Sequence, residues 1–408
     1  MRILIVTQNF YPDVFAVNET VEGLVGCGHD VTVLTGLPDY ATSRIPKEYR
    51  YGKNRVQELF GAKVYRVPIV ARRHGAVFRC LNYASFALNA AFMARFRKWE
   101  PFDLVYVWET SPVTMAIPAI TLKRRYKTPL LLYCLDIWPE CIKAMGFREG
   151  TWFYRMVHRL SKRIYGQCDH IAVSSEPFFS YLHDVNGIAW EKMSYLPQFA
   201  SEDLLKEDLE KTEDGHTDFL YVGNVGKAQD MDCLVRAAAR FADRDDVSFH
   251  IVGGGSRLDE TISLAKETGA DRVMTFYGPT PFRETLPFYR KADACLITLD
   301  GSTRIGDTLP GKLQTYMAAG KPVIGALNGA GQDVILRSGC GLYAAASDVD
   351  GLAGCLEEFI QQKNPDYGNK GRAWFLAHYT REKHLRRLEH LMEKMTGKEN
   401  TDKNGEAQ

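Results

Sequence analysis

A lone cation follows a backbone-rich turn at Pro310, Gly311 and Lys312, inside the stretch TLPGKLQTYMAAGKPVIGA. A turn that opens a helix gathers N–H groups without intrahelical partners and the positive end of the helix dipole. A lysine added there makes a pocket for phosphate. A second turn of this kind lies in YVGNVGKAQDMD, where Gly223 and Gly226 precede Lys227. Its glycines would let the backbone approach an anion closely. Two such loops on one sheet edge would grip a diphosphate. IVGGGS, with Gly253, and FYGPTPFRE, with Gly278, are further glycine-bearing strand exits. Each turn taken alone reads equally well as a plain strand-to-helix connection. Together they suggest binding of a phosphorylated ligand.

The first half offers carboxylates instead. In LLLYCLDIWPE, Asp136 and Glu140 flank a Trp138-Pro139 turn at a strand end. A carboxylate beside an aromatic ring there suits sugar hydroxyls or proton handling. The same residues also read as a helix start, with Asp as N-cap, Pro near the first position and Glu in the first turn. Glu109 in WETSP and Asn18 in TQNFYPDVFAVNET are further polar candidates at strand exits. His74 and His170 have no metal-ligand spacing, and no metal site is expected. The nine cysteines form no CxxC pair, as expected for buried thiols in a reducing compartment.

These loops need a scaffold of alternating strands and helices. A chain of 408 residues is too long for one core, so two domains are expected. Short apolar runs predict strands at 2–7, 30–35, 62–67, 104–108, 129–135 and 171–174, with helical periodicity between them, as at 17–27 and 152–165. A charged, weakly periodic stretch at 201–217 reads as a linker. The rhythm then restarts, with strands at 219–222, 248–252, 274–277, 295–299, 323–326 and 341–344. Helices are expected at 233–243, 258–268, 285–292, 313–319 and 349–361. Near-continuous apolar strands indicate parallel sheets buried on both faces. The fold class is therefore α/β, with two Rossmann-like domains across a cleft: residues 1–200 and 218–373. Residues 374–395 form a long amphipathic helix candidate, and the polar tail at 396–408 is expected to be disordered.

Charge is unevenly placed. Over residues 44–127, basic residues outnumber acidic ones by more than three to one. VARRHGAVFRC and AFMARFRKW interleave arginine with apolar and aromatic residues, and LKRRYK adds charge. This mixture suits a helix lying on an anionic membrane surface. It also suits a solvated basic face over a buried apolar side. No nucleic-acid-binding module is recognisable. Nothing resembles a signal peptide, and no apolar run approaches the ~20 residues of a spanning helix.

The stretch from Pro310 to Ala326 resembles the donor-sugar segment of bacterial GT-B glycosyltransferases of the family 4 (group 1) type. Their common form is a Pro-Ser-Lys turn, a helix ending in a small residue and Gly, then Lys-Pro-Val-Ile. The resemblance extends over nearly the whole chain and is sharpest at 219–326 and 130–140. The Asp136-to-Glu140 turn and YLPQFA at 195–200 are similar to the polysaccharide branch that includes N-acetylfucosamine transferases. The resemblance implies a retaining, metal-independent transferase without a cofactor. It would move a sugar from a nucleotide diphosphate, UDP first among them, to an undecaprenyl-linked saccharide in O-antigen, capsule or exopolysaccharide assembly. The enzyme would be cytoplasmic, peripheral at the inner face of the plasma membrane, with no nucleic-acid partner. Lys312 would stabilise the diphosphate, with Lys227 nearby and Asn224 and Gln229 standing where the family has Arg and Lys. Asp307 would orient the donor sugar, and Thr315 stands where the family's ribose glutamate lies, with Gln314 or a backbone group as substitute. Gly253 and Gly278 would line the nucleotide. Asp136, Glu140, Glu109 and Asn18 would face the acceptor, and the last helix would cross back to the first domain. Two rival readings share the plan: a non-hydrolysing sugar-nucleotide epimerase, and a non-catalytic glycan-binding partner of an assembly complex.

Overall fold

The computed structural model describes residues 1–40, 43–73, 75–145, 147–364 and 366–398. His74 and most of the tail lie outside these. The chain divides into two compact units: Met1–Pro197 joined by the segment from His384 onward, and Gln198–Lys383.

The first unit is built on an eight-stranded sheet. Its strands are β1 (Arg2–Val6), β2 (Asp30–Gly36), β3 (Val56–Leu59), β4 (Ala62–Val67), β5 (Leu104–Glu109), β6 (Leu130–Cys134), β7 (His170–Val173) and β8 (Met193–Tyr195), in the order β3-β4-β2-β1-β5-β6-β7-β8. All neighbours are parallel except the β3–β4 hairpin at the edge. The helices are α1 (Ala16–Gly26), α2 (Ala76–Phe96), α3 (Ile117–Tyr126), α4 (Trp152–Tyr165) and α5 (Pro177–Asp184). Every residue of β5 and β6 is buried, the burial expected of central parallel strands covered on both faces.

The second unit has six parallel strands: β9 (Thr217–Val222), β10 (Val247–Val252), β11 (Met274–Gly278), β12 (Ala294–Thr298), β13 (Val323–Ala326) and β14 (Gly341–Ala344). Their order is β11-β10-β9-β12-β13-β14. Its helices are α6 (Met231–Ala238), α7 (Leu258–Thr268), α8 (Leu286–Lys291), α9 (Gly311–Ala318), α10 (Ala330–Ser338), α11 (Val349–Gln362) and α12 (Asp366–His378). Strand order reverses between β1 and β5 in one sheet and between β9 and β12 in the other. In open α/β sheets, ligands gather at such switch points, beyond the carboxyl ends of the strands.

Two expectations need correction. Residues 201–217 are no free linker: Leu204 and Leu209 are buried in the core of the second unit. Lys211 there pairs with Asp218 at 2.9 Å and Asp293 at 2.6 Å. Weak periodicity hid two anchoring leucines among the charges. The long helix at 374–395 is broken in two, α12 and α13 (Arg381–Thr396). Tyr379 is buried, and its carbonyl accepts from the Ala200 N–H at 3.1 Å. Thr380 then caps the new helix by accepting from the Lys383 N–H at 3.3 Å. From His384 the chain belongs to the first unit, where buried Glu389 meets His29 at 3.1 Å. At the start of the tail, Lys398 pairs with Asp103 at 2.7 Å.

Candidate active site

The second unit holds the phosphate-binding candidates at its switch point. Pro310 caps α9, so the first-turn N–H groups of Gly311 and Lys312 open from the helix start. The Lys312 side chain turns back along β9. Its ammonium lies 3.7 Å from the centre of the Tyr221 ring and donates to the Tyr221 hydroxyl, with the Asn224 carbonyl at 3.5 Å. The Tyr221 hydroxyl in turn donates to the Asn224 carbonyl at 2.6 Å. Among the described residues no carboxylate pairs with Lys312. Burial pulls its ammonium down to about 7, because a charge without a counter-charge loses solvation that nothing replaces. An arriving anion would supply that counter-charge.

Glycines make room for this arrangement. A side chain at Gly223 (φ +135°) would put its Cβ 2.7 Å from Lys312 Cε. Gly253 serves a different end from the nucleotide lining expected of it. Its φ is +146°, and a Cβ there would sit 1.9 Å from the Gly223 carbonyl oxygen. That glycine permits the β10 exit to pack directly on the β9 exit, and main-chain bonds zip the loops together. Gly223 donates to Val252, Val225 to Gly254, and Gly253 to Gly278. Gly278 (φ +75°) has open space where a side chain would start.

Neutral side chains hold the β9 loop. Asn224 donates to Gln229 Oε1 at 2.8 Å, and the Gly226 N–H donates to the same oxygen at 3.1 Å. These two amides therefore brace the loop. Lys227 is exposed at the head of the following turn. Gln314 is buried and donates to the Gln198 carbonyl at 2.7 Å, so its amide holds an internal segment and is not presented to a ribose. Thr315 bonds back to the Gly311 carbonyl at 3.0 Å within its own helix. Asp307 accepts from Arg304 Nε at 2.5 Å, which holds its carboxylate on the loop after β12. Sequence reasoning missed Tyr221, the ledge under Lys312. The signal was an aromatic residue ending a strand just before the glycine turn.

The acceptor candidates in the first unit are more enclosed than expected. Glu109 is wholly buried, and among the described residues neither carboxyl oxygen meets the geometry of a hydrogen bond. Burial, reinforced by Asp136, pushes it well above the usual carboxylate range. Asp136 is partly buried and accepts from the Ser111 hydroxyl at 2.8 Å. Burial raises its pKa more than that bond lowers it. Glu140 pairs with Lys143 at 2.7 Å and accepts from the Tyr181 hydroxyl at 3.3 Å, so it tethers its turn to α5. Asn18 uses both ends of its amide on the preceding loop. Its oxygen accepts from the Tyr11 N–H at 3.1 Å and its nitrogen donates to the Asp13 carbonyl at 2.8 Å. Asn18 and Glu140 thus serve the local structure, Glu109 is enclosed in the core, and Asp136 is partly buried. No group of residues suited to holding a metal occurs among those described.

Comparison with known proteins agrees with this division. Residues 15–198 match the glycosyl transferase 4-like domain, and residues 216–362 match glycosyl transferases group 1. The Escherichia coli K12 protein WcaI, named as a colanic acid biosynthesis glycosyl transferase, is 25% identical over 342 residues, 78% of this chain and 82% of its own length. Sucrose-phosphate synthase from Thermosynechococcus elongatus superposes with a TM-score of 0.73 at 16% identity, over 98% of this chain and 100% of that one. Anabaena Alr3699/HepE, solved in complex with UDP, superposes with a TM-score of 0.70 at 12% identity, over 97% of this chain and 100% of that one. At such identities the likeness shows the fold. With both halves matched in succession, the chain belongs to the group 1 glycosyltransferases and has the GT-B fold.

Proposed function

We propose that this glycosyltransferase transfers a sugar from a nucleoside diphosphate sugar, UDP-linked, to a lipid-linked glycan in bacterial polysaccharide assembly, with retention of configuration and without a metal or other cofactor. The observation that carries the donor assignment is the unneutralised Lys312 ammonium beside the β9 loop. It fits a diphosphate, whose charge grows as the sugar leaves. Colanic acid in the name of WcaI and UDP bound to HepE support the pathway and the base. The test is a thermal-shift screen of the purified protein against UDP, GDP, ADP and their sugars. A rise in midpoint with UDP compounds alone is expected. No rise with any nucleotide would remove the donor assignment.

A lipid-linked acceptor calls for a membrane-facing surface, and α2 fits that role. The two basic-apolar segments of the sequence fall on or beside this one 21-residue helix, which carries no Asp or Glu. One side packs inward through Phe86, Ala90 and Ala94. The other leaves Val77, Leu81, Leu88, Phe92 and Phe96 between 47% and 71% exposed. Spacings of four and seven align them in one stripe. A helix apolar on all sides is ordinarily buried, so an exposed apolar side marks an interaction surface. Exposed Arg73, Arg95, Arg97 and Lys98 flank it. No helix among the described residues is long and apolar enough to cross a membrane. The protein should sediment with phosphatidylglycerol vesicles and much less with phosphatidylcholine vesicles. The pair Leu88→Glu and Phe92→Glu should reduce that binding at least tenfold without lowering the melting midpoint. Equal binding to both vesicle types, or an unaffected double variant, would refute the surface assignment.

A further inference from the structure

A buried chain of hydrogen bonds lies at the carboxyl ends of β1 and β2 in the first unit, outside every residue considered so far. Asp39, just past β2, accepts through Oδ2 from the Arg72 N–H at 2.6 Å and from Asn82 Nδ2 at 2.9 Å. Asn82, on α2, also donates to the Val70 carbonyl at 2.7 Å. Its oxygen accepts from Gln8 Nε2 at 2.6 Å. Gln8 follows β1 directly, on the strand where the sheet order reverses.

The direction of this chain follows from its chemistry. A carboxylate only accepts, so the Asn82 amino group must face it, and the Asn82 oxygen must then face Gln8. That leaves Gln8 Oε1 and Asp39 Oδ1 as acceptors at the two ends. Both are buried, and among the described residues neither has a hydrogen-bond partner. Their side chains are only about 2% exposed. A buried acceptor without a donor costs about 1–3 kcal/mol. Tyr40, the next residue along the chain from Asp39, is 47% exposed.

We propose that Gln8 Oε1 and Asp39 Oδ1 form a subsite that accepts hydrogen bonds from hydroxyl groups of a sugar, on the acceptor side of the enzyme. This rests on the glycan acceptor proposed above. Two acceptors, one of them anionic, repel phosphate and call for neutral donors. Location agrees, since ligands of open α/β sheets bind beyond the strand ends at the switch point.

The electrostatics add a pH signature. Burial, with the Asp13 carboxylate, raises Asp39 to about 6 against the opposing pull of Arg72 and the Asn82 amide. The Asp13 carboxylate itself accepts from the N–H groups of Asp39 at 3.3 Å and Tyr40 at 3.2 Å. Arg72 lies over the Tyr40 ring at 4.8 Å. Because the folded value lies above the unfolded one, the stability this acid contributes is present at low pH and lost as pH rises through about 6. At neutral pH the ionised Asp39 therefore destabilises the fold, which is what a group retained for binding does.

The experiment uses the full chain, Asp39→Asn and Gln8→Leu, with octyl glucoside and octyl N-acetylglucosaminide as probes and saturation-transfer NMR as the readout. Asp39→Asn keeps an oxygen for Arg72 and Asn82 but turns the free acceptor into a donor. It should raise the dissociation constant of a glycoside about tenfold and also raise the melting midpoint at pH 8, with little change at pH 4. UDP-induced stabilisation should be unchanged in both variants. A purely structural chain, or one that holds only a buried water, predicts lower midpoints and unchanged glycoside binding, and that result overturns the subsite. Wild-type protein that binds neither glycoside overturns it as well. Loss of the UDP response in the wild type would instead strike the donor assignment and leave this readout intact.

Discussion

Lys312→Ala is expected to lower kcat/KM for sugar transfer by roughly 10²–10³-fold, the usual effect of removing one group that stabilises developing charge. Lys312→Ala should also abolish the thermal shift produced by UDP. The fold should survive, because the lysine makes no ion pair among the described residues and its removal leaves no buried counter-charge. The pH dependence has a definite sign. The free ammonium is pulled down to about 7 by burial. A diphosphate favours the charged form and raises that value. Below pH 7 the lysine is already charged and donor affinity changes little on its account. Above pH 7 each binding event must take up a proton, so affinity falls as pH rises, by up to about tenfold per unit. Titration calorimetry at pH 8 in two buffers of different ionisation enthalpy should report uptake approaching one proton. Uptake near zero, with affinity flat from pH 7 to 9, would mean that Lys312 does not carry the diphosphate.

Asp218→Ala should have the largest effect on stability. The Asp218 side chain is fully buried at the start of β9 and meets two lysine ammonium groups and an imidazole. Lys211 lies at 2.9 Å, His250 at 2.7 Å and Lys291 at 3.1 Å. Lys211 belongs to the segment expected as a linker, so this carboxylate pins that segment to the sheet. Removing one partner from a buried ion cluster costs about 3–5 kcal/mol. For a unit of this size that is a drop in melting midpoint of roughly 10 °C. Burial alone would raise the Asp218 pKa, but hydrogen bonds from His250, Lys211 and Lys291 outweigh it and hold the carboxyl well below the usual carboxylate range. A lowered folded value gives stability that is present above the unfolded pKa of about 3.9 and lost as pH falls through the folded value. The gap between wild type and Asp218→Ala should therefore hold from pH 5 to 8 and narrow below pH 4. A gap unchanged by acid, or a loss under about 1 kcal/mol by urea unfolding, would show that the cluster is not organised around this carboxylate.

The two sheets were legible because parallel strands covered on both faces must be apolar throughout, and such runs stand out in the chain. Most strands begin and end within a residue or two of the expected positions. The turn that opens α9 was legible for a similar reason. Pro310, Gly311 and Lys312 act through local backbone geometry, which a few neighbouring residues determine. The break at Tyr379 and Thr380 and the anchoring of Leu204 and Leu209 were not legible, since each depends on a partner distant in sequence.

The same division runs through the site. The sequence by itself determined the residue types at the strand exits: a lysine at a helix start, glycines that allow loops to touch, and carboxylates and amides in the first half. Only the tertiary structure decided which of them are available. It turned Lys312 onto Tyr221 and left it without a counter-charge, while committing Gln314, Asn18 and Glu140 to internal bonds. It closed the core over Glu109, left one apolar side of α2 uncovered, and joined Gln8, Asn82 and Asp39 from three separate segments. The physical reason is that local geometry follows from a few adjacent residues. Burial, pairing and the resulting charge state depend on neighbours tens of residues away, which only the folded chain brings together.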